Sequence, residues 1–441
     1  MNQKGGKIIG KGRYGCVSDI LPIPSNPRCK YPKDGNNGLQ PGNEKFLSKL
    51  MRKEDAEKEY KIFHDLISKI KNYKDFTLEV LNMCHIGDQQ GRENDVKECK
   101  AITKFNINTS LYIKNGGKDI VYIVDNNKHN FIRYYQQHPK KFLLGLKRLF
   151  KGLKLLYENN IVHRDIKPQN ILFNINNGNF NIIDFGLAAP ADGIMYYLSG
   201  TYPTYIPGFD NITEYDEYSK TYDYLNDMYE HLKSGNKIER SDRIGGWLYR
   251  FISSFYRHNR AFMFNVDQIV ELFNNNKPEN EIYERVYIEY VNYLTDMYKA
   301  NNKSVGDFIK SVNDNYYKTL DVYGMGIVVY IILYAIDEES NDPVINELKK
   351  LCKEMVVMTI RPTGPEIYEK FMKIIQPSLR ASPRTTTSRT SRSASKSTSK
   401  KPRQISRSAS KSTSKNPRQI SRSASKSSRG RDICSIIRKN L

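Results

Sequence analysis

Short alternating runs of hydrophobic residues dominate the first hundred positions, and helical spacing takes over afterwards. Residues 7–21 read as strand, glycine-rich turn and strand, followed to about residue 44 by a loop rich in Pro, Gly and Asn. A short strand over 45–50 leads into RKEDAEKEYKIFHDLISKIKNY, where Ile62, Phe63, Leu66, Ile67 and Ile70 recur at the spacing of one helix face. Residues 77–86 and 101–113 read as strands, and 140–159 as a second amphipathic helix ending at Asn-Asn. Residues 208–318 are rich in Asn and Tyr and hold two to four helical patterns. Residues 320–335 are apolar on every side, which predicts a buried helix, and the ordered part is expected to end near residue 376. The pattern is β-rich first and helical later, an α+β arrangement.

Charge changes the picture only at the end of the chain. The 441 residues carry a formal net charge of +22. Residues 378–441 hold 18 Lys and Arg against one acid, Asp432, so +17 lies there and +5 on the preceding 377 residues. This tail repeats itself: RSASKSTSK stands at 392–400 and 407–415, and RSASKS returns at 422–427. Ser, Thr, Lys and Arg with almost no apolar residue cannot offset ordering entropy, so the tail is expected to be disordered. It reads as a set of phosphorylation sites, a basic arm for nucleic acid, or a solvated linker, and the first is favoured because basic residues stand beside many hydroxyls.

Six cysteines, Cys16, Cys29, Cys84, Cys99, Cys352 and Cys434, follow neither metal-ligand spacing nor a disulfide framework, which predicts free thiols in a reducing compartment. The opening MNQKGGKIIG has no apolar signal core, residues 326–336 are too few to cross a bilayer, and the terminal RKNL lacks a prenylation cysteine. The expectation is an intracellular, cytoplasmic protein with no membrane partner.

Three motifs carry chemistry. Residues 10–17, GKGRYGCV, give GxGxxGxV between two strands, where Gly10, Gly12 and Gly15 would let backbone amides approach phosphate oxygens, flanked by Ile9 and Val17. Taken singly this is a weak signal, since a plain glycine-rich hairpin has the same spelling. Residues 163–170, HRDIKPQN, match HRDxxxxN at every fixed position directly after a helix, and Asp184-Phe185-Gly186 follows fourteen residues after Asn170. Together they resemble the eukaryotic-type Ser/Thr protein kinase family over about residues 8–207 and 320–376.

The resemblance implies a bilobal fold, ATP and Mg²⁺ as cofactors, and protein Ser/Thr hydroxyls as acceptors, including those of the chain's own tail. It implies a kinase domain over 1–376, with an N-lobe to about 113, a C-lobe from about 118 and an inserted segment over about 208–318, followed by the tail 377–441. By the same likeness Asp165 would accept the substrate hydroxyl proton, Lys167 would steady the transferred phosphoryl, and Asn170 and Asp184 would hold metal. Lys49 in Phe46-Leu47-Ser48-Lys49 stands where the phosphate-pairing lysine would, with Lys45 and Lys53 as alternatives. Glu59 is its expected partner ahead of Glu57, because Ile62 and Phe63 follow three and four positions on. Leu47 replaces the usual Ala, and residues 111–119 are the candidate hinge. Asp321-Val322-Tyr323-Gly324-Met325-Gly326 resembles the DxWSxG helix start. Ile206-Pro207-Gly208 replaces Ala-Pro-Glu, although Arg361 resembles the arginine that glutamate meets. The Asn-, Lys-, Ile- and Tyr-heavy composition is similar to kinases of large DNA viruses of the mimivirus kind. A catalytically weak pseudokinase scaffold and a nucleic-acid-binding protein working through its tail are the competing expectations.

Overall fold

The computed structural model describes residues 8–11, 15–18, 46–85, 109–191, 221–250, 279–300, 303–316, 318–337, 341–356 and 361–380. The tail, Gly12, Lys45 and residues 192–220 lie outside them.

Five strands build an antiparallel sheet: β1 (Ile8–Lys11), β2 (Gly15–Ser18), β3 (Phe46–Met51), β4 (Val80–His85) and β5 (Thr109–Lys114), in the order β1-β2-β3-β5-β4. Side chains alternate between faces along a strand. In β3 this sends Leu47, Lys49 and Met51 to one face and Phe46, Ser48 and Leu50 to the other. Pairing then sets Val17 beside Lys49 and Leu47 beside Ile113 on the first face. Helix α1 (Lys53–Ile62) covers that face, burying Ala56 and Glu59, and continues into a wider turn over Phe63–Ile67 that buries Phe63 and Ile67.

Beyond Lys114 the chain turns into helices. A two-residue strand β6 (Lys118–Asp119) precedes α2 (Ile120–Asn126), whose first turn is capped by the Asp119 carboxylate accepting from Tyr122 N at 2.9 Å. Helices α3 (Lys128–Gln137) and α4 (Pro139–Glu158) follow, the latter opened by a proline whose missing N–H costs nothing there. Strands β7 (Ile161–Val162), β8 (Ile171–Asn174), β9 (Asn179–Ile182) and β10 (Ala189–Pro190) frame the loops of interest, β6-β8-β9 forming one small sheet and β10-β7 another. The rest of the described chain is helical: α5 (Thr221–Lys233), α6 (Glu279–Ala300), α7 (Val305–Tyr316), α8 (Leu320–Ile336), α9 (Pro343–Met355) and α10 (Gly364–Arg380).

The core follows the hydrophobic pattern. The apolar face of α4 packs on β9 and on α10, where the Phe150 and Phe371 rings stack at 4.0 Å. Helix α8 has no polar stripe and is buried nearly all round, as its sequence dictates. The described part of the Asn- and Tyr-rich segment joins the same core. Tyr224 lies on Trp247 at 4.3 Å and Tyr229 on Tyr298 at 5.4 Å, and all four aromatic groups pack with α5–α7.

One expectation is overturned. Cys16 and Cys84 are disulfide-bonded rather than free, while Cys352 is free and buried. Spacing along the chain cannot register a bond whose two ends are brought together by folding.

Candidate active site

The site is assembled where the sheet meets the helical part. Lys49, central in β3, points towards α1, and its Nζ lies 2.9 and 2.7 Å from the two Glu59 oxygens and 3.0 Å from Asp184 Oδ1. The alternatives in the sequence go elsewhere: Lys53 and Glu57 pair at 3.8 Å with both side chains at least half exposed. Burial works against charge on Lys49, but Asp184 and Glu59 outweigh it and hold the ammonium above its ordinary pKa. Burial likewise opposes ionisation of Asp184, and Lys49 overcomes it, keeping that carboxyl below the usual range.

The glycine-rich strands are only partly described. Gly10 pairs with Val17. A Cβ at Gly15 would lie 2.0 Å from Leu50 O, so this glycine is required by the approach of β2 to β3. At the hinge, Gly117 adopts φ +101, and its N–H donates to Asn115 Oδ1 at 3.0 Å. This left-handed turn carries the chain from β5 into β6, which pairs with Leu172 and Phe173 of β8. Leu47 is 6% exposed and shares the Lys49 face with Ile113.

The loop over 163–170 is fixed from below by Asp321, the first acid of α8. Its two carboxylate oxygens accept the backbone N–H groups of His163 at 2.6 Å and Arg164 at 3.0 Å, and burial pushes its carboxyl up to about 6. These bonds hold Arg164 at φ +70. His163 is fully buried; its Nδ1 accepts from Asp165 N at 3.2 Å, so Nε2 carries the proton and donates to Ile183 O at 3.0 Å. Burial pushes this neutral imidazole down to about 4 from its ordinary 6.5.

The depressed histidine makes a pH prediction. Its folded pKa lies below the unfolded value, so its contribution to stability is complete above about pH 6.5 and is lost as pH falls towards 4. Asp321 acts with the opposite sign over about pH 4 to 6. In urea denaturation, the stability difference between the native chain and His163→Phe should shrink by about 2 kcal/mol from pH 7 to pH 5. A difference that stays constant would contradict a neutral buried imidazole.

Asp165 is 6% exposed. Its Oδ2 accepts from Asn170 Nδ2 and from Lys167 Nζ, both at 2.8 Å, and Asn170 Nδ2 also bonds Asp165 O at 2.8 Å. Its Oδ1 is buried and accepts no hydrogen bond. Burial raises this carboxyl, with Lys167 pulling the other way. Because Asn170 spends its amide nitrogen on Asp165, its amide oxygen is left as the group a cation would meet. Asp184 sits at φ +65 with its side chain 38% exposed, the most open of the site's carboxylates. A carboxylate and an amide oxygen are the hard donors that Mg²⁺ takes beside phosphate oxygens, so the residues present fit Mg²⁺ with a nucleoside triphosphate.

Motif reading missed a second set of residues, which mounts the lysine triad. Between α1 and β4, Phe76 and Thr77 run alongside β9: Ile182 N donates to Phe76 O at 2.9 Å and the buried Thr77 hydroxyl donates to Ile182 O at 2.6 Å. The Phe76 ring also meets Phe185, which in turn packs at 4.6 Å on His163. Arg148 of α4 clamps the same region, donating to Lys74 O, Phe180 O and Asn181 Oδ1, and Lys151 pairs with Asp75. The segment after Glu59 and the strand before Asp184 therefore share one mount. Thr77→Val keeps the shape and removes a buried hydrogen bond of about 1.5 kcal/mol, so turnover should fall about tenfold while Thr77→Ser stays near native. Equal steady-state rates for Val and Ser would remove Thr77 from this role.

Arg361 is buried, its Nε donates to Thr319 Oγ1 at 3.1 Å, and its guanidinium lies over the Tyr323 ring. Residues 206–208, where the sequence departs from Ala-Pro-Glu, lie outside the described residues.

Comparison with known proteins agrees with this geometry. Residues 115–224 match the family described as protein kinase domain. A Dictyostelium discoideum protein, probable serine/threonine-protein kinase cdc7, is 42% identical over 64 residues, 14% of this chain and 6% of that one. Serine/threonine-protein kinase atg1 of the same organism is 31% identical over 134 residues, 27% of this chain and 20% of the relative. Mitogen-activated protein kinase KSS1 of Saccharomyces cerevisiae is 22% identical over 182 residues, 41% of this chain and 40% of its own length. The chain thus spans well under half the length of these curated relatives. Residues 115–224 carry the protein kinase domain signature, and the sheet, hinge and helices around them form the protein kinase fold.

Proposed function

We propose that the chain is a Ser/Thr protein kinase that transfers the γ-phosphate of ATP to protein hydroxyls. The observation that carries this reading is Asp165, a buried carboxylate with one oxygen held by Asn170 and Lys167 and the other unspent. An unspent acceptor in a preorganised loop is what a hydroxyl nucleophile needs in order to be oriented and to give up its proton. Lys167, 2.8 Å from that carboxylate, lies where negative charge on a transferred phosphoryl would be met, and lysine at this place favours Ser/Thr over other acceptors by likeness to the family. Lys49, kept charged by Asp184 and Glu59, would bind phosphate oxygens, and Asn170 and Asp184 would hold Mg²⁺. ATP with Mg²⁺, when bound, supplies the phosphoryl group and neutralises its charge. Ile9, Gly10, Gly12, Gly15 and Val17 would cover the nucleotide, and Leu47 would narrow the space above the base.

The acceptors include the chain's own tail, whose repeats place arginine and lysine beside serine. The tail also remains the segment to test for nucleic acid, and a cytoplasmic site of action and a likeness to kinases of large DNA viruses belong to the same reading. Among the described residues no helix is long and apolar enough to cross a membrane.

The test is transfer of labelled γ-phosphate from Mg-ATP by the full chain to itself and to a generic basic protein, beside Asp165→Ala. Label on Ser or Thr that vanishes in the variant supports the proposal. Nucleotide binding without transfer by the native chain would overturn it in favour of a scaffold.

A further inference from the structure

The sheet face turned away from Lys49 is closed to solvent. Cys16, Leu50, Ser110 and Cys84 form one row across strands β2, β3, β5 and β4, since pairing joins Cys16 to Leu50, Leu50 to Ser110 and Ser110 to Cys84. The next row runs Ser18, Ser48 and Tyr112. All seven residues are 5% exposed or less. Yet Cys16, Leu50, Tyr112 and Cys84, though buried, stand apart from the continuous core that unites α1 with the helical part. Both cysteines of the row are disulfide-bonded.

They are not bonded to each other. Three strand spacings separate β2 from β4 in the sheet, about 14 Å, whereas the Cα atoms of a disulfide lie within about 7 Å. Cys352 is free. Each bond therefore ends on a different one of Cys29, Cys99 and Cys434, which lie outside the described residues. Two separate cross-links leave one sheet face, one of them from the strand that also carries Gly15 and sets Val17 beside Lys49.

We propose that the Cys16 and Cys84 disulfides form a redox lock on the nucleotide-binding sheet, keeping its outer face closed and β2 in place, so that reduction weakens nucleotide binding. The inference rests on the nucleotide site proposed above. Release is a thiol–disulfide exchange with a dithiol reductant. One reductant thiolate attacks a sulfur of the bond, the displaced cysteine leaves as thiolate and takes a proton, and the second reductant thiol then frees the other cysteine. Two electrons pass per bond, and the reductant ends as a cyclic disulfide. Cys352 takes no part, because burial pushes its thiol up and away from the reactive thiolate.

The experiment uses the full chain equilibrated in oxidised glutathione or in dithiothreitol, with thiols mapped by alkylation after denaturation and ATP affinity measured by titration. In the oxidised sample Cys16 and Cys84 should resist alkylation and Cys352 should react. Reduction should weaken ATP binding by about fivefold, the scale expected when a preordered binding element loosens. Cys16→Ser/Cys84→Ser should bind ATP like the reduced native chain in both media. Alkylation of Cys16 and Cys84 after oxidation, or equal ATP affinity in the two states, would overturn the lock. A native chain that binds no ATP in either state would instead overturn the nucleotide site itself.

Discussion

Asp165→Asn is expected to lower turnover in phosphoryl transfer by about a thousandfold, the scale of losing a positioned general base, while leaving ATP affinity unchanged. The substitution preserves volume but replaces the unspent acceptor and removes the charge that Lys167 and Asn170 now hold. A pH profile gives a second readout. Burial raises the Asp165 carboxyl, so the native rate should fall as pH drops through that raised pKa, where the acceptor becomes protonated. The residual rate of the variant should lack this acid limb. Single-turnover rates across pH, with ATP affinity measured in parallel, check both statements, and a variant with native turnover would remove Asp165 from the chemistry.

The second large effect is expected at Asp184. Its carboxylate is the most open in the site, lies 3.0 Å from Lys49, and is held ionised by it. Asp184→Asn keeps the left-handed backbone position, which asparagine tolerates, and removes one negative charge from the cation's surroundings. Loss of one preorganised electrostatic group should cost about 10²- to 10³-fold in turnover. Unlike Asp165→Asn, it should also raise the Mg²⁺ concentration needed for half-maximal rate. Lys49 then keeps only Glu59, so its ammonium pKa should move down towards the ordinary lysine range. A Mg²⁺ titration of rate separates the two variants, and an unchanged magnesium requirement would exclude Asp184 as a metal ligand.

The disulfides also bear on where the chain works. Free thiols were the expectation that pointed to a reducing compartment, and bonded Cys16 and Cys84 remove that support. The cytoplasmic reading now stands on other grounds, and the thiol mapping described above tests it directly.

Local pattern alone determined the order of elements. Period-two strands precede period-3.6 helices, α4 ends at Asn-Asn before the 163–170 loop, and α8 is apolar on all sides and therefore central. The loop motifs were equally legible, because residues within one short turn must be close in space whatever the rest of the chain does. Tertiary structure decided what depends on separated segments meeting. It turned Lys49 and Glu59 inward while Lys53 and Glu57 stayed in solvent, a choice of helix phase and strand face that neighbouring charges do not announce. It gave Gly15 a packing reason beside any phosphate role, set Asp321 beneath His163 and Arg164, and bound Thr77 to Ile182 across 105 positions of sequence. The cysteines make the same distinction. Register placed Cys16 and Cys84 in one row yet too far apart to bond, because strand order in a sheet is set by pairing energy and loop closure, neither of which is written in the spacing of residues along the chain.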